Sequence, residues 1–395
     1  MEITIIIGIF VSDMTLEILH KLCSAELLRS IDANIDRKAD SVALDKRVAE
    51  AALVATQVKY LQRAASKLPS YFAARCIIPP LSFEQASSEQ VAAIKELEGE
   101  SLLDLTCGLG VDALHFSKSF RRVVTLERNE VLAAVARENF RRMGVENIEV
   151  ICSSAEEYLS RCDEHFDWIY ADPDRRSASG QKLVRLEECS PNILALKPDI
   201  ERVANGRLMV KNSPLFDIDE AFRLFSPARV EVVSLADECK EVLISSAEQD
   251  ILVATAVGRG VFSILRNEIL QPLSQTEFEA ERYRYLILPD VALQKSRLVA
   301  DALDAVADVW SNNGFGFAAE EPQGALGRIF EIDKIVEFTP KVLRRELAGC
   351  RVEILKRDFP YSTRQIVEQL KIKEGGDRRV AFTRVAGRNL AIFLR

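Results

Sequence analysis

From Ser101 onward, short β-type apolar runs alternate with helical segments, and no other feature of the chain limits its fold so strongly. The runs are LLDLTC (102–107), VVTLER (123–128), IEVICS (148–153), FDWIYAD (166–172) and RLMVKN (207–212). Helices are expected between them from Val111, over Val131–Met143 and near Asn192–Ala204, and further strands at 229–236, 242–245 and 251–257. A helical crossover returns the chain so that the next strand runs parallel to the last, and a parallel sheet must be covered on both faces. The expected class is therefore α/β, a doubly wound Rossmann-like sheet over residues 96–260.

The flanking regions lack this rhythm. Between Met14 and about Leu68, apolar residues such as Ala49, Ala52, Leu53, Val58 and Leu61 recur at helical spacing. Residues 1–95 are thus expected as an N-terminal helical region, broken at Ile77-Ile78-Pro79-Pro80 and resumed by a helix from Ser88 to about Glu96. The apolar run Met1–Val11 has no Lys or Arg before it and no small-residue cleavage site after it, so it fits a signal peptide poorly. It is expected as a strand, or as an extension ahead of a natural start at Met14. After Gly260, helices (Leu293–Ala307, Ser362–Leu370) mix with strands (Arg328–Phe338, Arg351–Lys356, Arg379–Val385, Asn389–Leu394). That pattern predicts a separate α+β domain over 261–395, with Glu374-Gly375-Gly376-Asp377 turning into a final hairpin.

Composition narrows the function classes. With 395 residues, 48% of them hydrophobic, the chain can fill two or three cores. No stretch approaches the ~20 uninterrupted apolar residues of a membrane span. Eight dispersed cysteines without a CxxC pair, and only His20, His115 and His165, predict buried reduced thiols, a cytoplasmic setting and no metal site. The net charge is −8, yet residues 331–395 carry 15 Lys+Arg against 9 Asp+Glu, which leaves −14 on the rest. This electropositive end, with Arg/Lys runs at 341–345 and 356–357 near Phe359 and Tyr361, suits phosphates and bases.

The chemistry concentrates at two places. In the first, Leu103-Asp104-Leu105-Thr106-Cys107-Gly108-Leu109-Gly110-Val111-Asp112-Ala113, a strand enters a glycine turn that opens a helix. Gly108 and Gly110 are expected to let the backbone approach a ligand closely, and Glu127, at the end of the next strand, to accept from both ribose hydroxyls. The glycines alone also fit a nicotinamide dinucleotide. Asp104 favours a ligand with an ammonium group over a pyrophosphate, and Asp112 at the helix start adds to that preference. In the second, Tyr170-Ala171-Asp172-Pro173-Asp174-Arg175-Arg176 follows the fourth strand and is expected to face the same crevice.

These residues resemble class I S-adenosylmethionine-dependent methyltransferases over about residues 82–258. Asp104, Gly108, Gly110 and Glu127 match the cofactor positions of that family, and Asp172-Pro173 matches the start of its [N/D]-P-P-[Y/F] motif, typical of amino-group methylation on nucleic-acid bases. Phe83-Glu84-Gln85-Ala86-Ser87-Ser88-Glu89 is similar to a segment that lies over the cofactor in related RNA enzymes. With VKNSP (210–214), ECK (238–240), the DP-x-RR segment and KIKEGGD (371–377), the chain resembles bacterial methyltransferases that carry a THUMP-like C-terminal domain.

The resemblance implies S-adenosyl-L-methionine as cofactor, held by Asp104, Thr106, Gly108, Gly110, Asp112, Glu127, Arg128, Ser154 and Ala155. It implies Asp172 and Pro173 as catalytic residues, with Asp174, Arg175, Arg176, Lys211 and Ser213 toward an RNA substrate, rRNA or tRNA. Two departures stand out: Asp174 and Arg175 replace the second proline and the aromatic, and Ser153-Ser154 replaces an acidic residue. The alternative is a non-catalytic RNA-binding or assembly protein that keeps the methyltransferase fold.

Overall fold

The computed structural model describes residues 14–174, 186–273, 277–376 and 378–395. Its contacts divide the chain into two compact units, one ending at Asn212 and the other beginning at Ser213, rather than at 95 and 260.

The first unit is built on five strands: β1 (Gly99–Asp104), β2 (Phe120–Leu126), β3 (Ile148–Ile151), β4 (Trp168–Ala171) and β5 (Leu208–Asn212). Within the unit they run in the order β3-β2-β1-β4-β5, and every pair is parallel. The doubly wound α/β class expected from the alternation is thus present. Burial along the whole of β5 follows from cover on both faces. The strand order reverses between β1 and β4, so their carboxyl ends form the switch point where ligands of such sheets bind.

Physical reasons set the helix limits. Thr15 and Ser24 accept hydrogen bonds from Ile18 and Leu27 amides and start the Leu16–Leu22 and Ala25–Asn34 helices. The 17-residue Ala51–Lys67 helix stops just before Pro69. Its Leu53, Val58 and Leu61 share one core with Leu102 of β1, Val123 of β2 and Phe140, which is why the contacts do not thin near residue 95. The helix expected from Asn192 begins only at Lys197, where Pro198 fits the first turn and no later position. That expected from Ser88 to Glu96 closes at Ala92.

The second unit opens with the Ile218–Phe225 helix and the strands β6 (Ala228–Leu235), β7 (Glu238–Ser246), β8 (Ile251–Ala256) and β9 (Gly260–Leu265). Here the parallel rule lapses: β6 pairs antiparallel with β7 and parallel with β8, and β8 pairs antiparallel with β9. Tight turns replace crossovers, so neighbouring strands reverse. An eight-stranded sheet follows, formed by β10 (Tyr285–Pro289), β11 (Asp308–Val309), β12 (Gly316–Ala318), β13 (Gly327–Glu337), β14 (Arg351–Lys356), β15 (Lys373–Glu374), β16 (Arg378–Val385) and β17 (Arg388–Leu394). Its order is β11-β12-β10-β13-β17-β16-β14-β15.

The expected final hairpin is β16–β17, with Ala386 and Gly387 both at positive φ in the turn. The single helix expected over Leu293–Ala307 is two, Val291–Ser296 and Val299–Leu303, because Arg297 at φ 61° ends the first. All eight cysteines are reduced thiols; four are buried, but Cys23 and Cys152 are exposed, unlike the buried thiols expected. Among the described residues no helix is long and apolar enough to cross a membrane.

Candidate functional site

The glycine turn is held from beneath by Asp104. Its carboxylate is 1% exposed. Oδ1 accepts from the Thr106 amide at 2.9 Å and from Thr106 Oγ1 at 3.3 Å, and Oδ2 accepts from Thr125 Oγ1 at 2.6 Å. Burial pushes the Asp104 carboxyl up to about 7, against the lowering effect of these hydrogen bonds. The sequence suggested a carboxylate offered to a ligand ammonium; the structure gives it the shaping of the turn, with its charge just below.

The two glycines differ in their reasons. Gly108 has φ +54° and nothing within 4 Å of where a Cβ would sit, so the turn is open above it, as a ligand cradle requires. Gly110, at φ +87°, would place a Cβ 2.5 Å from Phe140 Cζ. Both its left-handed backbone and the packed Phe140 ring call for glycine there. Cys107 donates its amide to Leu126 O at 2.8 Å, and burial raises its thiol pKa far above the ordinary value, so it packs the turn rather than reacting.

Glu127 stands at the end of β2. Its Oε2 accepts from the Gly108 amide at 3.0 Å and its Oε1 from the Asn129 amide at 2.8 Å, and burial raises its pKa. Each oxygen keeps a lone pair for a further donor. Arg128 is exposed and donates to Ser190 Oγ at 3.0 Å, beside the bridge that pairs Ser190 with Asp174. Ser154 caps the Ala155–Arg161 helix by accepting from the Glu157 amide at 3.1 Å, and Ala155 is the buried first residue of that helix. The Ser154 side chain is thus engaged in its own helix start.

Asp112 also departs from expectation. Its Oδ1 takes a 2.8 Å hydrogen bond from Lys95, whose side chain is 0% exposed, and its Oδ2 accepts from the hydroxyl of Tyr170 at 2.7 Å. Burial opposes its ionisation, but the charges of Lys95 and Lys211 together with the hydrogen bonds from Lys95 and Tyr170 outweigh burial and hold the carboxyl at about 2. The carboxylate completes a buried ion pair under the site instead of facing a ligand. Nothing in Ile94-Lys95-Glu96 marks the lysine as buried, so sequence reasoning missed it.

Asp172 lies at the carboxyl end of β4, on the other side of the switch point. Its amide donates to Thr106 Oγ1 at 2.7 Å, which ties it to the glycine turn. Its carboxylate, 29% exposed, forms an ion pair with Lys211, which is 9% exposed and donates to Ser87 Oγ at 3.1 Å. Lys211, expected toward the substrate, is thus a largely buried partner of Asp172 on the same side of the site. Ser87, from the 83–89 segment, is a site residue the candidate set lacked. Pro173 is buried and Asp174 is fixed by backbone hydrogen bonds to Ser190 at 2.8 and 3.0 Å. Arg175 and Arg176 lie outside the described residues. Ser213, first residue of the second unit, accepts from the Leu215 amide at 3.1 Å in a local turn.

A family model for a methyltransferase domain matches residues 102–179, and one for a THUMP domain-like segment matches residues 327–395. The chain therefore joins a methyltransferase domain to a THUMP-like C-terminal segment. It is similar to 23S rRNA (uracil(1939)-C(5))-methyltransferase RlmD of Edwardsiella ictaluri, 36% identical over 108 residues, 24% of this chain and 25% of that one. The chain thus spans about a quarter of that relative's length. It is 23% identical over 341 residues, 84% of this chain and 92% of the other, to an uncharacterized S-adenosylmethionine-dependent methyltransferase of Mycobacterium tuberculosis. The crystal structure of a methyltransferase-fold protein from Porphyromonas gingivalis superposes with a TM-score of 0.80 at 24% identity, over 98% of this chain and 99% of that one, which shows a shared fold.

Proposed function

We propose that this chain is an S-adenosylmethionine-dependent methyltransferase of the cytoplasm that modifies an RNA base, rRNA or tRNA, at an exocyclic amine. The observation that carries the reading is the open space above Gly108, flanked by Glu127 at the end of β2 and tied through Thr106 to Asp172 at the end of β4. The match of a methyltransferase domain to residues 102–179 supports the reaction, and the rRNA named for the RlmD relative and the THUMP-like match at the basic C-terminal end support RNA as the substrate class; the amine rests on Asp172-Pro173, not on that relative, whose named target is a uracil C5.

S-adenosylmethionine, when bound, supplies an electrophilic methyl on a sulfonium. Glu127 would accept from the ribose hydroxyls, and the open backbone at Gly108 would receive the rest of that half of the molecule. The Asp104 carboxyl beneath the turn favours a ligand with positive charge over a pyrophosphate, which separates this cofactor from a dinucleotide. On the acceptor side, alignment at about 3–3.5 Å contributes much of the rate in such displacements. The Asp172 carboxylate accepts hydrogens of the amine, turns its lone pair toward the turn and receives the proton the amine must lose. Lys211, itself anchored on Ser87, holds that carboxylate in place. No cysteine takes part.

The test is methyl incorporation from labelled S-adenosylmethionine into RNA from cells lacking the protein. Asp172→Asn is expected to cut incorporation by about 100-fold or more while leaving cofactor affinity within about threefold. Full activity in that variant refutes the role given to Asp172.

A further inference from the structure

Two cross-strand rows close one end of the sheet formed by β13, β17, β16 and β14. In the first, Val336, Ala391, Phe382 and Lys356 stand in register. In the next, Asn389 faces Arg384, and the Phe338 amide donates to Asn389 O at 2.8 Å. Residues in register across a sheet share a face. This face lies under the Pro340–Leu347 and Thr363–Leu370 helices, since Val336, Phe338, Phe382 and Ala391 share a core with Leu343 and Ile366.

Four aromatic rings meet at this end. Phe359 and Phe382 are buried and form its floor. Phe338 and Tyr361 are only half-buried; their centroids are 5.5 Å apart with the planes 33° from one another, and they lie 5.0 and 5.7 Å from the Phe359 centroid. The Tyr361 hydroxyl has no hydrogen-bond partner among the described residues. Two rings left partly wet over an aromatic floor offer the kind of surface on which an unpaired base stacks.

Cations stand around the rings. Lys356 is the cross-strand neighbour of Phe382, and Arg384 follows two residues along the same face, its amide donating to Asp358 O at 3.0 Å, next to Phe359. Lys341 lies in the first turn of the helix that follows Phe338. Lys341 and Arg384 are exposed and Lys356 is half-buried, and none of the three side chains has an ion pair or a hydrogen bond among the described residues. Of the carboxylates on these elements, Glu337 is paired with Arg388 and Glu368 with Arg364, which leaves Asp358 against three cations. Asn389, between Phe338 and Arg384, keeps its Oδ1 buried without a hydrogen-bond donor. Surplus positive charge beside wet aromatic rings suits a nucleotide strand, whereas an acidic peptide would use the cations and leave the rings idle.

We infer that Phe338 and Tyr361, with Lys341, Lys356 and Arg384 around them, form a platform for an unpaired RNA segment, a base stacking on the rings while the cations take the flanking phosphates. The assignment rests on the RNA reading above and adds that the segment held here is single-stranded. A duplex keeps its bases stacked inside, so it reaches the cations and not the rings.

Fluorescence anisotropy of the full-length protein across a KCl series, with a labelled unstructured RNA of about ten nucleotides and with a duplex of the same sequence, tests it. Tyr361→Ala is expected to weaken the single strand about tenfold at an unchanged salt slope and to leave the duplex within about twofold. Tyr361→Phe keeps the ring and is expected to bind like the wild type. Arg384→Gln and Lys356→Gln are each expected to lower the log–log salt slope for the single strand by about 0.7. Arg384 is exposed, so its variant reads the platform even where Tyr361→Ala fails to fold. Single-strand binding unchanged in Tyr361→Ala and Arg384→Gln, or a duplex weakened by Tyr361→Ala as much as the single strand, overturns the platform. A polyglutamate peptide that displaces the RNA from the wild type and binds Tyr361→Ala equally well makes this a protein-docking face and overturns the RNA assignment. If the wild type binds neither RNA, the platform and the RNA reading fall together. If it binds and methylates RNA while the variants bind it equally well, the platform falls alone.

Discussion

Asp104 shows how one side chain sets both stability and charge. An aspartate in an unfolded chain titrates near 3.9, whereas burial lifts Asp104 to about 7. Between those values the folded protein keeps a proton that the unfolded chain has lost, so raising the pH through that window lowers stability. The raised pKa of Glu127 acts in the same direction. Urea unfolding of the wild type and of Asp104→Asn from about pH 5 to about pH 8 is expected to show the wild type losing ground to the variant as pH rises. A difference that stays flat or grows with pH contradicts the assignment. Asp104, Gly108, Glu127 and Asp172 were legible because each sits at a strand end in a recognisable spacing. Lys95, Thr125, Tyr170 and Ser87 were not, since their roles depend on which strand or helix lies beside them in space.

The turn and its helix show what spacing alone conceals about an element. Gly108 and Gly110 look equivalent in the sequence, yet one faces open space and the other faces the Phe140 ring. Gly110→Ala is expected to destabilise the fold by about 1–3 kcal/mol, from backbone strain and the ring contact, in a denaturant melt. Gly108→Ala bears the backbone strain alone, about 1 kcal/mol, but is expected to cost the larger share of S-adenosylmethionine affinity. Equal losses of stability, or an unaltered affinity in Gly108→Ala, contradict this division. Strands with a clear run, such as β1, β4, β5, β14 and β17, were legible to within a residue or three. The two-residue β11 and three-residue β12 were not, because so few residues display no period.

At the scale of the molecule, the α/β class followed from the alternation, but the division at Asn212 did not. The N-terminal helices bury their apolar faces in the core of the parallel strands, and the strands after Ser213 belong to the second unit. Shared burial sets such boundaries, and changes in sequence pattern do not report it. The basic excess after residue 330 coincides with the THUMP-like match at 327–395 and was visible from charge alone. The central claim is that the β1–β4 switch point binds S-adenosylmethionine. Isothermal titration of the full-length protein with that compound, alongside NAD and the Glu127→Ala variant, tests it most directly. Saturable binding of S-adenosylmethionine to the wild type, weakened about tenfold or more in Glu127→Ala, with no heat from NAD, is the expected result. No binding of S-adenosylmethionine, or NAD bound in its place, would contradict the account.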